Sequence, residues 1–129
     1  MIPFPHTPME VLQKKMSNMR PSFRALGILW VEELSFRIQV VLGTLVLLAA
    51  LVLHVPTIEF VLLMLIIGTV LAVEALNTAI EEICDHVTPE QHATIGKIKD
   101  IAGGATFIML CIAGVVGLVI FTPYIIQLL

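Results

Sequence analysis

Residues 38–58, IQVVLGTLVLLAALVLHVPTI, contain no Asp, Glu, Lys or Arg. Two further stretches, residues 60–73 and residues 101–129, also contain none of these four residue types. The chain has 129 residues, of which 13% are charged. Soluble domains contain about 25% charged residues, and a soluble domain with only half that share could not cover its surface with charged groups. The sequence therefore predicts an all-α membrane protein, with transmembrane helices near residues 38–55, 58–83 and 101–123.

The basic residues predict how the chain crosses the membrane. None of them flanks the turn at residues 54–58, and all lie before the first span or between the second and the third: Lys14, Lys15, Arg20, Arg24, Arg37, Lys97 and Lys99. The positive-inside rule then places the N-terminus and residues 81–100 in the cytoplasm and the C-terminus outside. Cys84 and Cys111 would lie at different depths, so we expect free thiols.

Residues 1–36 precede the first span and predict an amphipathic helix. Thr7-Pro8-Met9-Glu10 is typical of a helix start, and Pro21 is expected to interrupt the helix. A basic segment with apolar stripes and Trp30, next to a span, indicates a helix lying in the headgroup plane. The alternative is a cytosolic helix that packs on the rest of the protein. Residues 1–129 are expected to form one domain.

Other local signals predict where the spans begin and end. Thr57 with Glu59 offers a cap for the second span. Thr88-Pro89-Glu90-Gln91 is expected to begin a helix that continues into the third span and ends near Pro123. Small residues of the third span suit close contact between helices in a bilayer: Ala102, Gly103, Gly104, Ala105, Ala113 and Gly117.

Residues 73–85, VEALNTAIEEICD, contain the candidate chemistry. On a helix that advances about 100° per residue, four polar side chains fall on one face: Glu74, Asn77, Glu81 and Asp85. Carboxylates repel one another there unless a cation lies among them, and oxygen ligands without a Cys/His pair favour Mg²⁺. The alternative is a solvated acidic face, above all for Glu82 and Asp85. Glu74 lies at or below the membrane surface, where ionisable residues are costly and usually functional.

Two more polar clusters are predicted at the same level, residues 32–39 (EELSFRIQ) and residues 96–100 (GKIKD). Acidic groups on two helices, with Lys and Asp on a third, could hold a metal–nucleotide. The sequence has no Walker A motif and no kinase-type glycine-rich loop. Any nucleotide chemistry would therefore be of a kind specific to membranes.

These clusters together resemble a known family. The arrangement is Glu33-x-x-Phe36-Arg37, then Glu74-x-x-Asn77-Thr78-Ala79-Ile80-Glu81-x-x-x-Asp85, then Lys99-Asp100-x-Ala102-x-Gly104-Ala105. It is similar to the prokaryotic diacylglycerol kinases, which include the undecaprenol kinases, over about residues 20–121. The resemblance implies three transmembrane helices with an N-terminal surface helix, assembled as a homotrimeric helical bundle. It also implies phosphorylation of a lipid hydroxyl by Mg²⁺-ATP at sites that neighbouring subunits share.

The resemblance also implies roles for individual residues. Glu74 matches the catalytic base and Asn77 the polar residue beside it. Glu33 and Glu81 match the metal-binding carboxylates, which also contact the nucleotide. Lys99 and Asp100 match a nucleotide-contacting pair, and Asp85 an additional polar contact there.

The implied partners are Mg²⁺, ATP, membrane lipids and a lipid alcohol, either undecaprenol or diacylglycerol, with no nucleic acid. The implied location is the bacterial cytoplasmic (inner) membrane. Residues 36–39 and the loop at 88–92 resemble the undecaprenol kinase branch more than the enterobacterial one. Gln39 and Gly103 depart from the usual residues of the family, although neither belongs to the core motif.

Three other functions remain open from the residues. A small channel would need polar side chains through its full depth, yet here they concentrate at one surface. A non-catalytic membrane scaffold could also contain the intramembrane Glu and the helix of small residues. A phosphatase of lipid phosphates would need a nucleophile or an Arg/His cluster, and Arg37 is alone at its level.

Overall fold

A computed structural model describes residues 7–17, 19–88 and 92–129 of the chain. Five α-helices account for the secondary structure of these ranges: α1 (Pro8–Ser17), α2 (Met19–Glu32), α3 (Leu34–Val52), α4 (Thr57–Val87) and α5 (Ala93–Leu128). They fall into an N-terminal unit that ends at Leu34 and a second unit, Ser35–Leu129.

The second unit confirms the three predicted apolar helices. α3, α4 and α5 are each long and apolar enough to cross a membrane. At about 1.5 Å per residue, α4 and α5 extend for about 46 and 54 Å, whereas the hydrocarbon core is about 30 Å thick. These two helices therefore extend beyond the apolar segments that the sequence marked at residues 58–83 and 101–123.

The N-terminal unit begins with the predicted helix start. The backbone N–H of Thr7 donates to Glu10 Oε2 over 3.0 Å, and the backbone N–H of Glu10 donates to Thr7 Oγ1 over 3.3 Å. The expected break at Pro21 is wrong, because this proline lies within the described helix α2. The apolar side chains of the two helices, such as Phe23 and Trp30, are exposed.

In the second unit, a tight turn joins α3 to α4, and His54 adopts a positive φ of 53° in it. A small apolar core of Ala50, Leu63 and Ile120 lies beside this turn. α4 and α5 run antiparallel, because residues near the start of α4 contact residues near the end of α5 and the reverse. We call this end, residues 50–63 and 116–124, the turn end.

Two predicted caps are absent from the described helices. α4 begins at Thr57 after Pro56, without a side-chain cap, and Glu59 instead accepts a hydrogen bond from the Tyr124 hydroxyl over 3.0 Å. Thr88 lies at the C-terminus of α4, and α5 begins after His92, whose Nδ1 accepts from the Thr94 backbone N–H. Residues 89–91, which belong to the predicted start of that helix, lie outside the described residues.

The predicted end of the last helix near Pro123 is also wrong, because α5 continues to Leu128. Proline removes one backbone donor, and apolar surroundings leave no better conformation than a helix for the backbone groups around it. The Thr122 hydroxyl donates to the Leu118 carbonyl over 2.5 Å in the same turn.

The glycines of α3 and α5 differ in how much space surrounds them. A Cβ on Gly43 of α3 would stand 2.7 Å from Cγ2 of Ile67, so the Ile67 side chain of α4 occupies the space that a side chain at position 43 would need. A Cβ on Gly103, Gly104 or Gly117 of α5 would meet no described atom within 4 Å. The close contacts predicted for these three glycines are therefore not made within the described chain. Cys84 and Cys111 are free thiols, as predicted.

Candidate active site

Glu74 is a buried carboxylate in the middle of α4, with 5% of its surface exposed. Both of its oxygens accept hydrogen bonds from α3. The Ser35 hydroxyl donates to Oε1, and Gln39 Nε2 donates to Oε2 over 3.0 Å. A carboxylate removed from water is costly unless donors replace its hydration. α3 therefore supplies the two donors that hold this side chain in place.

Neither Ser35 nor Gln39 was predicted as a site residue. They are four residues apart, so they lie on one face of α3, near its N-terminal end. Their spacing could have indicated this role, since a buried carboxylate on one helix needs hydrogen-bond donors on a neighbouring helix. What the sequence did not contain was the register that brings this face of α3 opposite Glu74.

Asn77 and Glu81 form the next contact along α4. Asn77 Nδ2 donates to Glu81 Oε1 over 2.9 Å, and both side chains are half-buried. Their spacing of four residues puts them one helical turn apart on the same face, as the sequence predicted. The second oxygen of Glu81 accepts no described hydrogen bond.

Asp85 and Lys99 connect the far end of α4 to the start of α5. Lys99 Nζ donates to Asp85 Oδ1 over 2.8 Å, and the two side chains are 34% and 67% exposed for Lys99 and Asp85 respectively. An exposed pair of this kind stabilises the fold little, so the ammonium remains available to another anion. Asp100 is exposed and makes no side-chain hydrogen bond to the described residues, and Glu82 is exposed as well.

Glu33 lies between α2 and α3, where it is half-buried and belongs to the N-terminal unit. Its backbone N–H donates to the Leu29 carbonyl over 3.0 Å. Among the described residues, no three His, Cys, Asp or Glu side chains are grouped closely enough to hold a metal ion. The pairing of Glu33 with Glu81 as metal ligands therefore stays a prediction.

Known proteins are similar to this chain over most of its length. The profile of the family described as Prokaryotic diacylglycerol kinase matches residues 20–121. The chain is 33% identical over 91 residues to an undecaprenol kinase of Bacillus subtilis, covering 70% of this chain and 74% of that protein. It is 35% identical over 92 residues to a diacylglycerol kinase of Escherichia coli K12, covering 71% and 75%. A diacylglycerol kinase of Haemophilus influenzae is 30% identical over 101 residues, covering 78% and 86%.

The chain belongs to the prokaryotic diacylglycerol kinase family. As a member of it, the chain is a lipid kinase. The predicted resemblance and the predicted enzyme class are thereby confirmed.

In this lipid kinase, four buried side-chain atoms of the described residues have no hydrogen-bond partner: Arg37 Nε, Gln39 Oε1, Asn77 Oδ1 and Thr106 Oγ1. Buried polar atoms are nearly always paired, so atoms without partners indicate where a ligand or water binds. The contacts Asp85–Lys99 and Glu59–Tyr124 set the register of α4 against α5 and place Thr106 level with Asn77. We call this region, residues 35–39, 74–85 and 99–106, the Glu74 end.

The donor set at the Glu74 end suits Mg²⁺ although no closed metal site is built there. Asn77 Oδ1 is without a partner, and Glu81 has an oxygen that accepts no described hydrogen bond. Mg²⁺ prefers oxygen ligands and is usually bound by one or two carboxylates, with phosphate oxygens and water completing its coordination. The residues present therefore fit a Mg²⁺-nucleotide better than a bare ion.

An apolar groove of about 320 Å³ begins beside Glu74. Gln39 lies at one end of it, and the rest of its lining is apolar or glycine, including Gly43, Val70, Leu110 and Gly114. An apolar surface thus adjoins the polar groups of the Glu74 end.

Proposed function

We propose that this chain transfers the γ-phosphoryl group of ATP to the hydroxyl of a membrane lipid, with Glu74 as the general base. The observation that carries the proposal is the buried carboxylate of Glu74, which donors on α3 hold where polar groups give way to an apolar groove. A lipid alcohol combines a polar hydroxyl with an apolar tail, and this boundary offers both environments. The membership in a family of lipid kinases supports the same reaction.

In this mechanism each polar group at the Glu74 end has one task. Glu74 takes up the proton of the acceptor hydroxyl while the acceptor oxygen attacks the γ-phosphorus. Lys99 leaves Asp85 to neutralise phosphate charge, and Asp85 and Asp100 contact the nucleotide. Asn77 and Glu81, with Glu33, would hold Mg²⁺, which supplies positive charge to the phosphates when bound.

The metal assignment has its own test. Glu81→Ala and Glu33→Ala should each raise the Mg²⁺ concentration that gives half-maximal activity, or abolish activity. Glu82→Ala is the matched control, because Glu82 is exposed beside Glu81 and should leave the titration unchanged. Titrations of the Glu33 and Glu81 variants that overlay the wild type would place the metal elsewhere.

The acceptor is either undecaprenol or diacylglycerol, and curated relatives act on each by name. The test uses the purified full chain in detergent micelles with Mg²⁺-ATP, and compares phosphorylation of the two alcohols, with Glu74→Gln as the blank. We expect one alcohol to be phosphorylated with the higher kcat/KM, and residues 36–39 favour undecaprenol. Phosphorylation of neither alcohol by a correctly folded chain would contradict the proposed function.

The assembly that we propose is a homotrimer with sites shared between subunits. Gly103, Gly104 and Gly117 offer small surfaces that no described atom of the same chain covers, and such surfaces suit contact with another helix in a bilayer. A second subunit would also bring further groups to the unpaired atoms of the Glu74 end.

Mixing two inactive variants tests the shared site. Subunits with Glu74→Gln are assembled with subunits with Glu33→Ala, each of which is inactive alone. Recovery of activity in the mixture is expected if one subunit's Glu74 works with its neighbour's Glu33. No recovery from mixed trimers would show that both residues come from one chain, and crosslinking that captures only monomers in a bilayer would contradict the assembly itself.

The orientation that we propose places the Glu74 end in the cytoplasm of a bacterial inner membrane, with α1 and α2 in the headgroup plane and the C-terminus outside. The exposed apolar side chains of α1 and α2 and the distribution of Lys and Arg support it. Leu129→Cys, in a chain without Cys84 and Cys111, should react with an impermeant thiol reagent added outside the cell. Reaction only after the cells are opened would reverse the orientation.

A further inference from the structure

We propose that Ser35 carries the proton of the acceptor hydroxyl to Glu74, so that Ser35 is the group that touches the lipid. The proposal rests on the proposed function, since it assumes that Glu74 is the base. It adds a catalytic residue that lies outside the polar face of α4.

Glu74 is enclosed by the side chains around it. Only 5% of its surface is exposed, and each of its oxygens already accepts a hydrogen bond from α3. A carboxylate oxygen can accept more than one hydrogen bond, but a lipid hydroxyl must first reach it. An acceptor approaching from outside therefore meets the donors that cover Glu74 before it meets the carboxylate.

The two donors differ in what they can do. Ser35 is exposed, whereas Gln39 is half-buried and its Oε1 is buried without a partner. A hydroxyl can accept a hydrogen bond while it donates one, so it can take one proton and pass on another. An amide N–H of Gln39 donates to Glu74 but does not give up its proton near neutral pH. Ser35 is thus the one of the two that can relay a proton, and Gln39 is a positioning residue.

The position of Ser35 in the chain fits this role. Ser35 is the second residue of α3, and the stretch without charged residues begins three residues later at Ile38. It therefore lies where the apolar part of the helix ends, which is the level of a lipid hydroxyl in the orientation that we propose.

The acceptor hydroxyl gives its proton to Ser35 Oγ, and the Ser35 hydroxyl gives its own proton to Glu74 Oε1. The acceptor oxygen bonds to the γ-phosphorus as the bond from that phosphorus to the β–γ bridging oxygen breaks, which releases ADP. After the lipid phosphate leaves, Glu74 returns its proton through Ser35 to water.

The test compares four variants of the full chain in the micelle assay. Ser35→Ala should lower kcat about 100-fold or more, within the range that acid–base groups contribute, and leave KM for ATP unchanged. Ser35→Thr keeps a hydroxyl and should restore most of the rate. Gln39→Leu removes the other donor to Glu74 and should cost far less. Thr44→Val is the matched control, because the Thr44 hydroxyl only donates to the Val40 carbonyl of its own helix.

Three results would overturn the relay. Ser35→Ala with more than a tenth of the wild-type kcat would show that the acceptor reaches Glu74 directly, and a higher rate would show that Ser35 merely covers the base. Equal losses for Ser35→Ala and Gln39→Leu would reduce Ser35 to a positioning role. Should Ser35→Ala fail to fold, Ser35→Cys is used, since a thiol of similar shape is a weak hydrogen-bond donor and should also be slow.

Glu74→Gln in the same assay separates this proposal from the proposed function. An active Glu74→Gln variant would remove Glu74 as the base, whatever Ser35 does. An inactive Glu74→Gln variant together with a fully active Ser35→Ala variant would leave the proposed function intact and contradict the relay alone.

Discussion

The two ends of the second unit bury different kinds of side chain. At the turn end, Ala50 and Leu63 are each 1% exposed and Ile120 is 8% exposed. The Glu59 carboxylate there accepts a hydrogen bond from the Tyr124 hydroxyl. At the Glu74 end, a carboxylate is buried instead, and four buried polar atoms lack partners.

This difference supports the proposal that the Glu74 end is the one that binds a ligand. The turn end buries apolar groups that need no partner, so it stabilises the fold by itself. The atoms without partners all belong to the Glu74 end, where a bound molecule or a second subunit would supply what is missing. If the proposed function is right, stability and chemistry are separated along the same three helices, and substitutions at the two ends should have different effects.

The largest effect is expected from Glu74→Gln. The amide keeps the shape of the side chain but cannot take up a proton, so kcat should fall by about 1000-fold or more while nucleotide binding remains. The measurement is lipid phosphorylation in micelles, alongside binding of ATP to the same preparation.

Glu59→Gln is the control for that variant, because it makes the same change in the same helix at the turn end. Its amide oxygen can still accept from Tyr124, and its activity should stay within about twofold of the wild type, as expected for a group outside the transition state. Retention of more than a tenth of the rate by an assembled Glu74→Gln variant would remove the assigned role of Glu74.

Leu63→Ala should have the next largest effect, on stability. Leu63 is the largest fully buried side chain, and removing it leaves a cavity that costs about 3 kcal/mol of unfolding free energy. Unfolding in mixed micelles measures this loss. Leu62→Ala is the control, since Leu62 is 48% exposed in the chain. A Leu63→Ala variant as stable as Leu62→Ala would contradict the view that the turn end holds the helices together.

Most of the architecture could be predicted from the sequence, because the hydropathy of a segment depends only on residues that follow one another in the chain. Three helices long and apolar enough to cross a membrane, the reciprocal hydrogen bonds of Thr7 and Glu10 and the free cysteines were all predicted and are confirmed. The helix ends were harder. Pro21 and Pro123 both lie within helices. A proline shows which backbone donor is missing, but it does not show whether the surroundings tolerate the loss of that donor.

The site was predicted only in part, for a physical reason. The common face of Glu74, Asn77 and Glu81 follows from helical spacing, so it could be predicted without tertiary structure. The pairing of Glu74 with Ser35 and Gln39 depends on the register of α3 against α4. No pattern within α4 contains that register.

Lys99→Met is expected to have a smaller effect, which tests whether the Glu74 end binds the nucleotide at its outer edge. The substitution keeps the apolar stem and removes the charge, so KM for ATP should rise about tenfold, with a smaller change in kcat. Lys97→Met is the control, because Lys97 is exposed two residues away and points in another direction on α5. Equal KM values for the two variants would indicate that Lys99 serves only to contact Asp85.

The smallest effect should come from Tyr124→Phe. This variant removes a hydrogen bond at the turn end that is of the same kind as the one between Ser35 and Glu74. Among the described residues, two hydrogen bonds join a hydroxyl on one helix to a carboxylate on another: Tyr124 to Glu59 at the turn end and Ser35 to Glu74 at the Glu74 end. Loss of the Tyr124 hydroxyl leaves Glu59 half-exposed to water, so the melting temperature should fall by only a few degrees, and kcat should not change. Ser35→Ala should do the reverse and lower kcat with little change in melting temperature. The helices α4 and α5 contain residues of both ends, so an effect could pass from one end to the other. A more than threefold fall in kcat in a stable Tyr124→Phe variant would therefore show that the turn end takes part in the reaction.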